Sequence, residues 1–372
     1  MLSQMRYKRL GALMLALAAA ACGDTANLGT EPDEVSFDAA RVQADAQAME
    51  SALGAPALRS FAVMAGHLSV GPSTRAAVQG SVDLLASGSA LAVTDAKRVT
   101  RTLAERVMSG IPASPNDQRV IPPEVLGVTL IYDPVRQEYV PAPDRSGAPG
   151  NGVRFILYAV NPVTQQPIVT TEVGYADLID KGDTRPSSLA LQLIVVSGNV
   201  THLDYSVTAT GSEESGSLNV AGYLTDGDTR LNFDIGAEGR ATASGRALNV
   251  EFDFAIPARD FRVEADVAAE QSALGTSQEI ELLIRSGITT LRFDVEEDDT
   301  TVNATVRVNN QIFATISGQR HHPEVRGAGG RVLTLEEGLA LRRMLGFVET
   351  VFQLFGELLE PVTWIVELGG RP

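Results

Sequence analysis

Between residues 128 and 316 apolar side chains keep returning at every second position, and that rhythm leaves little to fold into except strands with one oily and one wet face. Leu248, Val250, Phe252, Phe254 and Ile256 form the clearest run. Leu203, Tyr205, Val207 and Ala209 alternate with Asp204, Ser206 and Thr208, and Leu231, Phe233 and Ile235 with Asn232 and Asp234. The pattern recurs over residues 128–132, 189–195, 261–267, 280–284, 291–295, 302–308 and 312–316. Ser197-Gly198-Asn199, Asp226-Gly227-Asp228 and Asn309-Asn310 are turn formers of hairpin length. Loops that short join antiparallel neighbours, so the expectation is a meander of roughly eleven to fourteen strands with one common apolar side. A surface of that width does not stay bare in water, and something must cover it.

The flanks of the repeat supply candidates for the cover. Residues 36–124 read as an Ala-rich helical segment. Ser36 can cap a helix that runs to about Leu53 and stops at Gly54. Pro56 suits a first turn, and Leu58, Phe61, Ala62, Ala65 and Leu68 follow at helical spacing. A third helix spans residues 95–108, after which Pro115, Asn116, Asp117, Pro122 and Pro123 mark a boundary. The β-sheet body is expected over residues 125–320. Thr334 and Glu337 form a capping box ahead of an apolar C-terminal helix within residues 331–368, with Leu341, Met344, Leu345, Val348, Phe352 and Phe355 on one stripe. Glu349, Glu357 and Glu360 interrupt that stretch and Pro361 breaks it, which favours packing on the sheet over crossing a bilayer. The fold class expected is therefore mainly β with flanking helices (α+β). It is a large antiparallel β-meander, as a curved sheet or open barrel, covered by N-terminal helices and a long C-terminal helix. In plan this is similar to lipoprotein carriers and acceptors of the LolA/LolB type, an analogy of architecture without shared motifs.

The N-terminus carries an address. Arg6, Lys8 and Arg9 precede an uncharged apolar run over residues 10–21, too short to span a hydrocarbon core. Ala18-Ala19-Ala20-Ala21 then leads into Cys22, the only cysteine of the chain. This resembles the lipobox of bacterial lipoproteins, although Ala19 stands where that family most often has leucine. The resemblance implies a signal peptide over residues 1–21, lipid attachment at Cys22 and a flexible tether over residues 22–35. It also implies a place in the cell envelope, and Gly23 rather than aspartate after the cysteine favours the outer membrane, facing the periplasm. A single cysteine excludes an internal disulfide and a multi-cysteine metal site.

Composition narrows the partners. With 46 acidic against 30 basic residues the net charge is −16, and loss of residues 1–21 removes three more positive charges. Nucleic acid is excluded, because neutralising phosphates needs a basic face. The aromatic content of 5% does not suit the aromatic girdles of an outer-membrane barrel.

Few residues invite chemistry. His321-His322 is the only histidine pair, and adjacent strand residues point apart, so a metal role is awkward. Asp226, Asp228, Asn232 and Asp234 echo a calcium loop but read better as a hairpin. Glu296-Glu297-Asp298-Asp299 reads as a solvated acidic turn. No nucleophile elbow is present, and Gly66-His67-Leu68-Ser69 has the wrong spacing for one. No catalytic, cofactor-binding or metal-binding residue is expected. The reading is a membrane-anchored, non-enzymatic lipoprotein. Its partners are membrane lipid through Cys22 and a hydrophobic small molecule held in the curved sheet; the alternative is a structural or assembly role with another envelope protein.

Overall fold

The computed structural model describes residues 39–67, 121, 126–182, 188–211, 214–273, 275–320, 322–341 and 344–345. Two helices, α1 (Ala39–Leu53) and α2 (Pro56–His67), precede the sheet. Its strands are β1 (Val128–Asp133), β2 (Glu138–Pro141), β3 (Gly152–Val160), β4 (Pro167–Asp180), β5 (Ser188–Ser197), β6 (Val200–Gly211), β7 (Ser215–Thr225) and β8 (Arg230–Thr242). They continue as β9 (Gly245–Ile256), β10 (Phe261–Ser272), β11 (Gly275–Ser286), β12 (Thr289–Glu297), β13 (Thr301–Val308), β14 (Gln311–Gln319) and β15 (His322–Gly327).

All fifteen strands belong to one sheet in which β3 to β15 follow chain order. The turn residues do what their chemistry allows: Gly198, Asn309 and Asn310 all take positive φ, the last two as a two-residue hairpin turn. One pair departs from the expected all-antiparallel meander. β1 lies parallel to β3, with Val128 opposite Val153, and β2 folds back outside it. The structure is thus mainly β, and the sheet is mixed and open, with β2 and β15 as its edges, rather than closed into a barrel. It also extends past the 125–320 range expected for the body.

Register explains why the apolar face is continuous. Tyr205, Gly222, Phe233, Phe254, Val263, Ile284, Leu291 and Val308 lie directly opposite one another from β6 to β13. Parallel rows run through Val220, Ile235, Phe252, Ala265, Leu282 and Phe293, and through Leu218, Ala237, Val250, Val267, Ile280 and Val295. These side chains are buried and form one core with Leu178, Leu191, Leu193 and Val195 of β4 and β5. Because side chains alternate with period two, each residue between them faces the other way.

The first helix crosses one end of this surface like a strap. Hairpin turns on one end of a meander recur every two strands, about 10 Å apart, and a helix rises about 1.5 Å per residue. Ser51 of α1 donates to Asp226 in the β7–β8 turn at 2.9 Å. Six residues back, Asp45 receives Arg259 of the β9–β10 turn and the Ser286 hydroxyl at the end of β11, both at 2.6 Å. Arg41 donates to the Arg259 carbonyl at 2.9 Å and its guanidinium lies against Gly287 of the β11–β12 turn. α1 thus steps from turn to turn, burying Met49 and Ala52. α2 carries on across β3 to β6, burying Leu58, Phe61 and Met64 and donating from Ser60 to the Tyr158 carbonyl at 2.6 Å. Ala62, placed by spacing on the buried stripe, is exposed, and Met64 takes its place.

β3 is buried on both sides. Val153, Phe155 and Leu157 join the main core, whereas Ile156 and Tyr158 pack with Tyr132 in a second cluster on the opposite face. Tyr139 closes that cluster, its ring 5.7 Å from Tyr132 and its hydroxyl donating to the Ile156 carbonyl.

At the other end of the chain, residues 335–341 and 344–345 are helical, and Leu341 and Met344 are buried in the main core. The remainder of the expected C-terminal helix, the third N-terminal helix and Cys22 lie outside the described residues. The capping box is formed: the Glu337 N–H donates to Thr334 Oγ1 at 3.2 Å and the Thr334 N–H to Glu337 Oε2 at 2.8 Å. Arg331 also binds the Glu337 carboxylate. The Arg331 bond, ahead of the Thr334 contacts, lowers the Glu337 carboxyl to about 2 from an ordinary 4.5. A lowered folded-state value contributes stability that is present above pH 4.5 and is lost as pH falls toward 2. Thermal midpoints of the parent and of Glu337→Gln are therefore expected to converge as pH is lowered through that window, the parent losing its advantage.

Candidate functional site

The residues singled out from sequence do not converge. His322 opens β15 and is exposed, and His321 lies outside the described residues. Among the described residues no group of three or more His, Cys, Asp or Glu side chains is placed to hold a metal ion. Asp226 is a turn carboxylate, accepting from the Asp228 and Thr229 N–H groups at 2.9 and 2.7 Å, while Asn232 and Asp234 sit in β8. The run Glu296-Glu297-Asp298-Asp299 is divided by the pleat. Glu296 is exposed, Glu297 is buried, and Asp299 accepts from the Thr276 N–H. Asp298 caps the turn, and the N–H groups of Thr300 and Thr301 hold its carboxyl well below the usual range.

Two other features emerge from the fold. The first is on the wet face, where Glu251, Asp266, Glu281 and Asp294 stand directly opposite one another on β9, β10, β11 and β12. In the adjoining row Asp234 faces Asp253, which faces Glu264. Like charges directly opposed across strands oppose pairing, so this register costs stability. Arginines relieve part of it: Arg262 binds Asp253 and Glu264, Arg285 binds Glu264, and Arg292 bridges Glu281 and Asp294. Glu251 and Asp266 take no ion pair from any described residue. Gly236, with open space where a Cβ would be, lets the face sink into a groove of about 580 Å³ along these rows.

The second feature lies on the apolar face. Tyr205 is entirely buried with its ring 5.9 Å from Phe233, and its hydroxyl has no hydrogen-bond partner. Burial pushes that phenol up. Gln278 of β11 is 4% exposed, and neither its amide oxygen nor its amide nitrogen has a partner. Sequence reasoning passed over it, although the signal was there: Gln278 is in phase with Ile280, Leu282 and Ile284, so period two already puts it on the apolar side. Asp45 is similar, standing four and seven residues before the buried Met49 and Ala52 on one helical stripe.

No helix among the described residues is long and apolar enough to cross a membrane. No protein-family model, curated protein or solved structure matches this chain, so what it can do rests on its own geometry.

Proposed function

We propose that the chain is a non-enzymatic lipoprotein of the cell envelope, held to a bilayer through acylated Cys22, that shelters a hydrophobic molecule between its apolar sheet face and the helices lying on it. The observation that carries this reading is the form of the cover. Among the described residues all strands belong to one sheet, and what lies on its wide apolar face is helical: α1 along one end and α2 on β3 to β6. Helices tied at a few polar points can be displaced without breaking a ladder of backbone hydrogen bonds, so a guest could exchange for them at modest cost. The finer architecture, with the C-terminal helix as a further part of the cover, belongs to the same proposal.

The test uses the mature chain produced with its signal peptide. Native mass spectra are expected to show an adduct of lipid mass that solvent extraction removes, and the stripped protein should take up a fluorescent fatty acid. Absence of both would sink the proposal. Cys22→Ser is expected to move the protein from the membrane to the soluble fraction; continued membrane attachment would refute the anchor.

A second reading has its own support. The opposed carboxylates on β9 to β12 suit a cationic segment of another envelope protein, which would relieve a repulsion the sheet carries by itself. In that case in-cell crosslinking recovers a partner whose binding weakens as salt is raised.

A further inference from the structure

Opposite Gln278 on the apolar face stand Ala269 of β10 and Glu297 of β12, and Glu297 is itself 6% exposed. The register continues through Leu248 to Gly239 and Gly216 on one side and through Val302 to Gly318 on the other. This row lies toward the end of the sheet opposite α1, and three of its positions, Gly216, Gly239 and Gly318, carry no side chain. A buried carboxamide with both polar atoms unmet is costly, and a leucine in its place would fit the pattern of β11 without that cost. Such a group is retained where something else supplies its hydrogen bonds. Two strand positions inward on the same face, Ile280, Val267 and Val250 begin the apolar rows.

We infer that Gln278 is the head-group contact for an uncharged amphiphile, one whose hydroxyl or amide group both donates to and accepts from the carboxamide while its chain lies along Ile280 and the rows beyond. Burial sets the class: Gln278 is 4% exposed and offers a neutral carboxamide, so a charged head would lose its hydration without gaining a counter-charge from it, whereas a glyceryl or amide head matches it hydrogen bond for hydrogen bond. The inference rests on the hydrophobic-guest reading and adds to it the position and class of the head.

The experiment compares 1-monooleoylglycerol with oleate, which share a chain and differ in head, on the full mature protein and on Gln278→Leu. The parent is expected to bind the glyceride about tenfold more tightly than the fatty acid, the equivalent of one well-placed hydrogen-bonding group. Gln278→Leu is expected to lose about tenfold in affinity for the glyceride and much less for oleate, so that the preference shrinks. Its thermal midpoint, measured on the extracted protein, should rise by about 3 °C because an unmet polar group has been removed. A preference unchanged in Gln278→Leu, or a fall in its midpoint, overturns the head-group assignment while leaving the hydrophobic-guest reading intact. Failure of the parent to bind either probe overturns both. If leucine disturbs folding, Gln278→Met keeps the side-chain length without the hydrogen bonds and must show the same loss of preference.

Discussion

Replacing Asp45 by alanine is expected to destabilise the protein by about 3 kcal/mol, the loss of two charge-assisted hydrogen bonds at a buried site. Asp45 is 1% exposed and holds α1 to the sheet through Arg259 and Ser286, so its removal also leaves the buried Ser286 hydroxyl without its acceptor. The Arg259 side chain is 37% exposed and can turn to water, which keeps the cost below that of stranding a buried cation. Asp45→Asn keeps an acceptor and should recover roughly half of the loss. Urea unfolding followed by circular dichroism measures both. If the alanine variant unfolds at the parental midpoint, α1 does not fasten the hairpin turns in solution.

The second large effect is expected at Phe254, where alanine should cost about 4 kcal/mol through lost burial and the cavity left behind. Phe254 is 1% exposed near the C-terminal end of β9, with Phe233 6.4 Å away and Val263 opposite it. Three residues earlier on the same strand, Glu251 points to the wet face, opposite Asp266. Glu251→Ala removes a like-charge contact and should be neutral or slightly stabilising, within about 0.5 kcal/mol. Comparable losses for the two variants would mean that the two faces of the sheet are not distinguished by burial in the way their register requires.

Strand legibility followed the number of faces buried. β8 to β13 each have one wet side, so alternation gave them away, whereas a bulge in β14 buries Phe313 and leaves Ile312, expected on the oily face, exposed. β3 has two dry sides, and Ile156 and Tyr158 erase the alternation that Val153, Phe155 and Leu157 would show alone. β7 was hidden differently: Gly216, Ala221 and Gly222 thin its apolar signal, and at Gly222 a Cβ would come within 2.5 Å of Tyr205. The bulges near Tyr158 that break the β3–β4 register left β4 unreadable for a related reason, since a shifted register moves side chains between faces. The polar residues that matter most for the inferred site were visible only as exceptions to the pattern, and an exception has meaning only once the face is known to be buried.

What the sequence determined by itself is local: that the stretches with one wet face are strands, where Asn309-Asn310 and Gly198 turn them, and that Thr334 with Glu337 starts a helix. Each follows from side-chain period or backbone preference within a few residues. Tertiary structure alone decided that β1 runs parallel to β3, that the sheet stays open, that α1 lies along the β7–β8, β9–β10 and β11–β12 turns, and that the buried Gln278 carboxamide has no hydrogen-bond partner. The reason is that period two fixes which side of a strand is oily but carries no information on which strand, helix or guest meets that side. The α1 contacts join residues more than a hundred positions apart, and only closing the chain into three dimensions selects among them.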